Sequence, residues 1–372
     1  MTTLRVMSVF GTRPEAIKLA PVIQQLEKIT HFESIVVVTA QHRQMLDQVL
    51  TLFNIHPDRD LDLMRENQDL ASLTASIFTH LDPVLSEYQP DWLLVQGDTT
   101  TVMATALNAF YRHIKVGHVE AGLRTGDKWQ PFPEEINRRI ASVTADLHFA
   151  PTEWARRNLL NEGIAKERII VTGNTIIDAL EQITLSPIPK GISRLLKEKG
   201  VFSGNKRLVI VTAHRRENFG EPIKNICTAL NTLAEQFRDT IEIVYPVHLN
   251  PHIQGPVHGL LGETPNITLL PPLDYPSLVH LLKHASFILT DSGGIQEEAT
   301  GLGKPCLVLR DMTERPEGVE AGVLKLVGTN TRVIVSEANK LLNDPDSYRA
   351  MVHAANPYGD GTAAQQIVKH LK

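Results

Sequence analysis

The chain has 372 residues, 42% of them hydrophobic and 21% charged, with a formal net charge of −5. That length favours two domains of ordinary globular composition, and the acidic balance excludes a basic footprint for nucleic acid or an anionic membrane surface. The only cysteines, Cys227 and Cys306, exclude a disulfide scaffold and a four-cysteine zinc site, and both read as packing residues. No window approaches 18 uninterrupted apolar residues. The opening MTTLRVMSVFGTRPEAIK runs into a charged loop rather than a leader or anchor. A cytoplasmic enzyme is the expectation.

Short β-rich apolar runs alternate with helical patterns. Leu4–Phe10 reads as a strand, followed by a Gly-containing loop and a helix around Ala16–Leu26. Ile35–Thr39 is the next expected strand, with helices near Met45–Phe53 and over Leu70–Glu87. Trp92–Gln96 reads as a strand, Thr101–Tyr111 as a helix and Val116–Val119 as a strand. Glu134–Ala145, Leu147–Ala150 and Trp154–Asn161 continue the alternation. Strands apolar on both faces and separated by helices predict parallel sheets covered on both sides. Leu185–Gly204 holds Pro187, Pro189, Gly191, Gly200 and Gly204 around a short basic helix and is the expected linker. It divides a first domain, 1–184, from a second, 185–360. The second series runs Leu208–Thr212, a helix near Ile223–Phe237, Ile241–Pro246, Ile267–Leu270, a helix near Pro276–His284, Phe287–Thr290, a helix from Gly294, and Leu307–Leu309. The tail Gly361–Lys372 reads as a helix that packs back on the first domain. The fold class expected is α/β, two doubly wound domains facing a central cleft, with ligands beyond the carboxyl ends of the strands.

The chemistry should therefore sit just after each strand. The first strand ends in GTRPEAIK, where Arg13 and Lys18 lie at the positive start of a helix and make an anion site. Asp98 follows the strand Trp92–Gln96 and fits two roles, a cap for the next helix, which is the commoner one, and an acid/base group. Glu120 ends the apolar strand Val116–Val119, where a carboxylate is costly to place without a use. Neighbouring strands would bring Asp98 and Glu120 to one rim. Glu134 and Glu135 open a helix after two prolines, which the helix dipole alone would favour.

In the second half, His214 and Arg215 follow a strand and suit phosphate. The strand Phe287–Thr290 ends in DSGGIQEE. Ser292, Gly293 and Gly294 open a helix whose N–H groups suit a diphosphate, and Glu298, one turn on, suits ribose hydroxyls. Arg315 adds a cleft cation. Asp58, Asp60 and Asp62 lack EF-hand spacing. His280 and His284 read as surface histidines, and Pro251 between His248 and His252 spoils a helical metal face. No metal is expected.

Together these segments resemble the non-hydrolysing UDP-N-acetylglucosamine 2-epimerases. The matching motifs are Phe10–Lys18 (FGTRPEAIK), Thr39–Gln48 (TAQHRQMLDQ), Gly97–Thr101 (GDTTT), Gly117–Thr125 (GHVEAGLRT), Pro131–Asn137 (PFPEEIN), Thr212–Asn218 (TAHRREN), Tyr245–Pro251 (YPVHLNP), Thr290–Glu298 (TDSGGIQEE), Thr313–Gly318 (TERPEG) and Asn356–Gly361 (NPYGDG). They span the chain. The resemblance implies the GT-B arrangement of two Rossmann-like domains.

It also implies reversible interconversion of UDP-N-acetylglucosamine and UDP-N-acetylmannosamine, with no cofactor. The C2 hydrogen is not beside a carbonyl. The implied route therefore breaks the bond from C1 to UDP first, removes the C2 proton to leave 2-acetamidoglucal, then re-adds UDP with protonation on the opposite face. Asp98, Glu120 and Glu134 take the acid/base roles, undivided by the resemblance, with Lys18 and His214 beside them. Arg13, Lys18, Leu273, Leu278, Ser292, Gly293, Gly294, Glu298 and Arg315 take the substrate, and domain closure keeps water out. Gln41, Gln44, Glu135, Arg215 and His248 match an activator site for a second UDP-N-acetylglucosamine. The first loop keeps the proline and the His118–Thr125 segment the form of the non-hydrolysing members. A homodimer and supply of envelope polysaccharide are implied as well. Two alternatives stay open: a UDP-sugar-dependent glycosyltransferase of the same fold, and a non-catalytic nucleotide-sugar sensor.

Overall fold

The computed structural model describes residues 3–371 except 40–42, 64, 66 and 67, and the side chains of 43–45 are also outside the description. The chain divides into two compact units, residues 1–179 with 358–372, and residues 180–357. The division falls within the helix Thr175–Leu185, ahead of the Pro/Gly stretch expected to be the linker.

Unit 1 carries β1 (Leu4–Phe10), β2 (Phe32–Val38), β3 (Arg59–Asp60), β4 (Trp92–Gln96), β5 (Lys115–Val119), β6 (Leu147–Ala150) and β7 (Ile169–Val171). All pair in parallel, in the order β3-β2-β1-β4-β5-β6-β7, with Met7 in register with Ile35 on one side and Leu93 on the other. Alternate strand residues point to one face. Met7, Val9, Ile35, Val37, Leu93 and Val95 pack there against Leu73, Ile77 and Leu81 of the helix Leu70–Tyr88 and Val102 and Ala106 of the helix Thr100–Tyr111. The final helix, Ala363–His370, packs beside the helix Arg13–Glu27 of this unit. The tail thus returns to this unit from the end of the chain.

Unit 2 carries β8 (Arg207–Thr212), β9 (Ile241–Pro246), β10 (Ile267–Leu270), β11 (Phe287–Thr290), β12 (Cys306–Val308) and β13 (Leu324–Leu326), also parallel, in the order β10-β9-β8-β11-β12-β13. The alternation supplies two cores. Val209, Val211, Ile243, Tyr245, Phe287 and Leu289 line one face, and Leu208, Ile210, Val244, Ile288 and Val308 the other. Each such fully buried apolar side chain stabilises the fold by about 1.5–3 kcal/mol. The fold class is α/β with two Rossmann-like domains, as expected.

Several elements lie outside the sequence reading. The helix Thr331–Asn343 starts with the β-favouring TRVIV. It forms because Asn330 accepts the Arg332 and Val333 N–H groups and because Ile334, Ala338 and Leu341 bury one face. The helix Pro251–Leu261 contains Gly255, Pro256 and Gly259, yet the Asn250 cap and buried Ile253, Val257 and Leu261 hold it. Tertiary burial overrides local propensity in both.

Candidate functional site

In each sheet the strand order reverses between two central strands, which makes β1/β4 and β8/β11 the topological switch points where doubly wound folds bind ligands.

At the first, a buried carboxylate joins two loops. Glu15 Oε2 accepts the Thr12 N–H at 2.7 Å and the Gly11 N–H at 3.1 Å, and Oε1 accepts the Thr99 hydroxyl at 2.7 Å. Burial pushes the Glu15 carboxyl above its ordinary range, with the hydrogen bonds opposing. Arg13 stands half-buried at the start of the same helix. The cap expected of Asp98 belongs instead to Thr99, whose Oγ1 accepts the Val102 N–H at 3.3 Å. Thr99 has the β-region backbone an N-cap needs and a side chain short enough to reach back. Asp98 is left for other work. Its Oδ2 accepts from Arg138 Nη2 at 2.6 Å, and Asn137 Nδ2 donates to its carbonyl at 3.0 Å. Arg138 itself is 3% exposed.

Glu120 follows β5 on the adjacent strand, so the shared rim exists. Its φ is +63°, a left-handed backbone that a side chain with a Cβ adopts at a cost, and its side chain is buried. Lys18 Nζ and Asn174 Nδ2 (3.1 Å) donate to Oε1, and Gln96 Nε2 donates to Oε2. A Cβ on Gly97 would lie 3.8 Å from Oε2, so the Asp98 loop starts against this carboxylate. His118, fully buried, donates Nε2–H to the Gly97 carbonyl at 2.7 Å, and burial pushes its pKa down to about 3, which keeps the ring neutral. Glu134 opens the helix Glu134–Thr144 and is half-buried. Glu135 is fully buried and accepts the Thr125 and Gly126 N–H groups at 3.1 and 3.4 Å.

At the second switch point Asp291 plays the joining part. It is fully buried, and its Oδ2 accepts the His214 and Arg215 N–H groups, each at 2.8 Å, and Asn218 Nδ2 at 2.9 Å. His214 Nδ1 lies 3.6 Å from Asp291 Oδ1, and the ring stacks on exposed His248 with centroids 5.4 Å apart. Ser292 is the N-cap residue of the helix Gly293–Gly301. The two glycines serve different ends. A Cβ on Gly293 would sit 3.2 Å from the Arg315 guanidinium, whereas one on Gly294 would meet nothing within 4 Å. Gly293 makes room for Arg315, and Gly294 leaves backbone open to a ligand. Arg315 donates Nε to Glu297 at 2.9 Å and Nη1 to Glu314 at 2.7 Å. Glu298 is buried on the same helix, and Leu273 and Leu278 pack half-buried on the neighbouring core.

Gln41 lies outside the described residues, as does the side chain of Gln44. His280 is 1% exposed, not a surface residue, because its helix turns it inward, and burial lowers its pKa. Glu15, Gln96, Arg138, Asn174 and Asp291 were not singled out by sequence. Glu15, Gln96 and Asp291 fall at strand ends or in quoted motifs, so position alone could have flagged them, and Arg138 follows the PFPEEIN motif by one residue. Asn174, after a short strand of three residues, gave no signal.

Two doubly wound domains, one with an open helix start among cations and one with carboxylates at adjacent strand ends, define a nucleotide-binding α/β enzyme. A family model described as UDP-N-acetylglucosamine 2-epimerase matches residues 24–372. The chain belongs to the UDP-N-acetylglucosamine 2-epimerase family. It is 52% identical over 373 aligned positions to the UDP-N-acetylglucosamine 2-epimerase of Salmonella typhimurium, covering 99% of this chain and 98% of the relative. The Neisseria meningitidis UDP-GlcNAc 2-epimerase, solved bound to UDP-GlcNAc, superposes with a TM-score of 0.91 at 48% identity, covering 99% of each chain. The Methanocaldococcus jannaschii UDP-GlcNAc 2-epimerase, solved with UDP-GlcNAc and UDP, gives 0.83 at 34% identity, again over 99% of each.

Proposed function

We propose that this chain interconverts UDP-N-acetylglucosamine and UDP-N-acetylmannosamine by eliminating and re-adding UDP. In the forward sense the C1–O bond breaks and its electrons go to the β-phosphate. A carboxylate takes the C2 proton, and the C–H pair becomes the C1–C2 double bond of 2-acetamidoglucal. UDP then re-adds at C1 as an acid protonates C2 on the other face. The observation that carries this reading is Glu120, a buried carboxylate held on a left-handed backbone by Lys18, Gln96 and Asn174. A strained, pre-set carboxylate suits proton transfer better than it suits binding a neutral sugar.

Asp98, Glu120 and Glu134 carry the proton exchange, with Lys18 countering charge. UDP needs an anion site that persists while the nucleotide is detached. The Ser292–Gly294 amides, Arg13, His214 and Arg315 supply it, with Glu298 on the ribose and Leu273 and Leu278 beside the base. The test is turnover in deuterated water followed by proton NMR. Deuterium at C2 of recovered substrate and product is expected. Sugar transferred to an added acceptor without C2 exchange would favour the glycosyltransferase reading, and binding without turnover the sensor.

The same reading extends to a second UDP-N-acetylglucosamine acting as activator on Gln41, Gln44, Glu135, Arg215 and His248. The His214–His248 stack supports it, because it would couple that ligand to the catalytic histidine. It extends also to a homodimer, supported by exposed Phe110, Tyr111 and Val143 on unit 1 helices. A cytoplasmic setting is supported by two free, buried cysteines, and envelope polysaccharide is the proposed sink for the product.

A further inference from the structure

Asn174 has no reacting atom, yet its side-chain amide makes two fixed contacts and its backbone a third. Its Oδ1 accepts the Ile176 N–H at 3.1 Å, which orients the amide and leaves Nδ2 to donate to Glu120 Oε1 at 3.1 Å. Its backbone N–H donates to the Tyr358 carbonyl at 2.8 Å. The residue is 2% exposed.

The partner of that last bond is the returning tail. Gly173 and Gly359 both have positive φ, +84° and +104°, and each fits against the other's backbone. A Cβ on Gly173 would lie 3.1 Å from the Tyr358 carbonyl oxygen, and one on Gly359 would lie 3.0 Å from the Gly173 Cα. Two side-chain-free positions allow this close backbone approach. The tail is held in place beyond it. The Ala364 N–H donates to buried Asp178 at 2.9 Å, and Ala363, Ala364, Ile367 and Val368 are buried. The same tail helix packs on the helix Arg13–Glu27, which carries Lys18. Two donors to Glu120 thus rest on one segment from the far end of the chain.

We propose that Asn174 is a positioning residue for the Glu120 carboxylate, and that the backbone of the returning tail at Tyr358 and Gly359 holds it there. This rests on the catalytic role of Glu120 given above. An amide at 174 donates to a carboxylate without adding charge. An aspartate there would keep the Ile176 contact but set a second carboxylate against the first, which opposes ionisation of the pair.

The experiment compares kcat, KM and the pH profile of kcat for wild type, Asn174→Asp and Gly359→Ala, with circular dichroism as the check on folding. For Asn174→Asp we expect kcat about 10-fold or more lower with KM within about 3-fold, and the acidic limb of kcat raised by about one pH unit or more. Gly359→Ala, which keeps the Asn174 side chain but displaces the tail that holds it, should lower kcat in the same way. A folded Asn174→Asp with wild-type kcat and an unmoved acidic limb overturns the proposal, as does one whose loss is in KM alone. If Asn174→Asp does not fold, Gly359→Ala decides: wild-type kcat overturns the proposal, and a kcat loss at unchanged KM supports it. Glu120→Gln separates the two levels. Wild-type turnover in that variant removes the role of Glu120 itself, whereas its loss beside an unaltered Asn174→Asp removes only the positioning role.

Discussion

At the β1/β4 switch point the joining carboxylate, Glu15, comes from the helix after the first strand, and it gathers the Gly11–Thr12 loop and Thr99. At β8/β11 the joining carboxylate, Asp291, comes from the loop after the fourth strand of its sheet and gathers His214, Arg215 and Asn218. The topology and the device are shared, and what each loop pair presents is not. Unit 1 presents Asp98 and Glu120, each with cationic or amide donors behind it. Unit 2 presents an open glycine backbone, a histidine and an arginine. In the reading proposed above, one fold repeated in a chain is turned to proton transfer in one unit and to anion holding in the other by the few residues after its strands, while the joining carboxylate is kept in both.

The largest expected effect breaks the proton-transfer half alone. Asp98→Asn or Glu120→Gln should lower kcat by about 10²- to 10⁴-fold, while calorimetry finds UDP affinity within a few-fold of wild type. Wild-type turnover in either variant would remove that residue from the mechanism. The converse change, Glu298→Ala, should weaken UDP binding by about 10- to 100-fold, the loss of hydrogen bonds to a charged acceptor. Its C2 exchange should recover at saturating substrate.

Much of this division is legible in the sequence, because doubly wound folds put ligands after strands and the strands themselves are apolar on both faces. Asp98, Glu120 and Ser292–Gly294 could be found that way. Which residue at a strand end caps the next helix could not, since Asp98 and Thr99 both suit a cap and only the backbone at Thr99 decides it. Asn174 and Tyr358 meet through the return of the tail, a contact that no local pattern encodes.

Smaller effects sharpen the comparison at its shared feature. Asp291→Asn turns one acceptor with several donors into a group that must also donate, and Glu15→Gln does the same in unit 1. Each should destabilise its own unit by about 1–3 kcal/mol, read as lost hydrogen-exchange protection confined to that unit's switch-point loops. Protection lost equally in both units would contradict the separate joining roles.

The remaining effect is with acid. Burial pushes His118 down to about 3 and His148 to about 4, against an ordinary 6.5. Below pH 6.5 the unfolded chain takes up protons that these folded rings refuse, so their contribution to stability is present above 6.5 and lost as pH falls toward 4 and 3. Each costs at most about 1.4 kcal/mol per pH unit in that window. In unit 2 the lowered histidine is His280. Hydrogen exchange at pH 7.5 and pH 5 should therefore show unit 1 losing more protection than unit 2, and equal losses would count against the buried neutral pair.

The central claim is that UDP leaves C1 and returns. The most direct measurement uses UDP-N-acetylglucosamine with a heavy-oxygen label in the bridge between C1 and the β-phosphorus. Once that bond breaks, the β-phosphate oxygens of bound UDP become equivalent, so the account predicts label in non-bridging positions of recovered substrate. Label that stays wholly in the bridge after C2 epimers have equilibrated would contradict it.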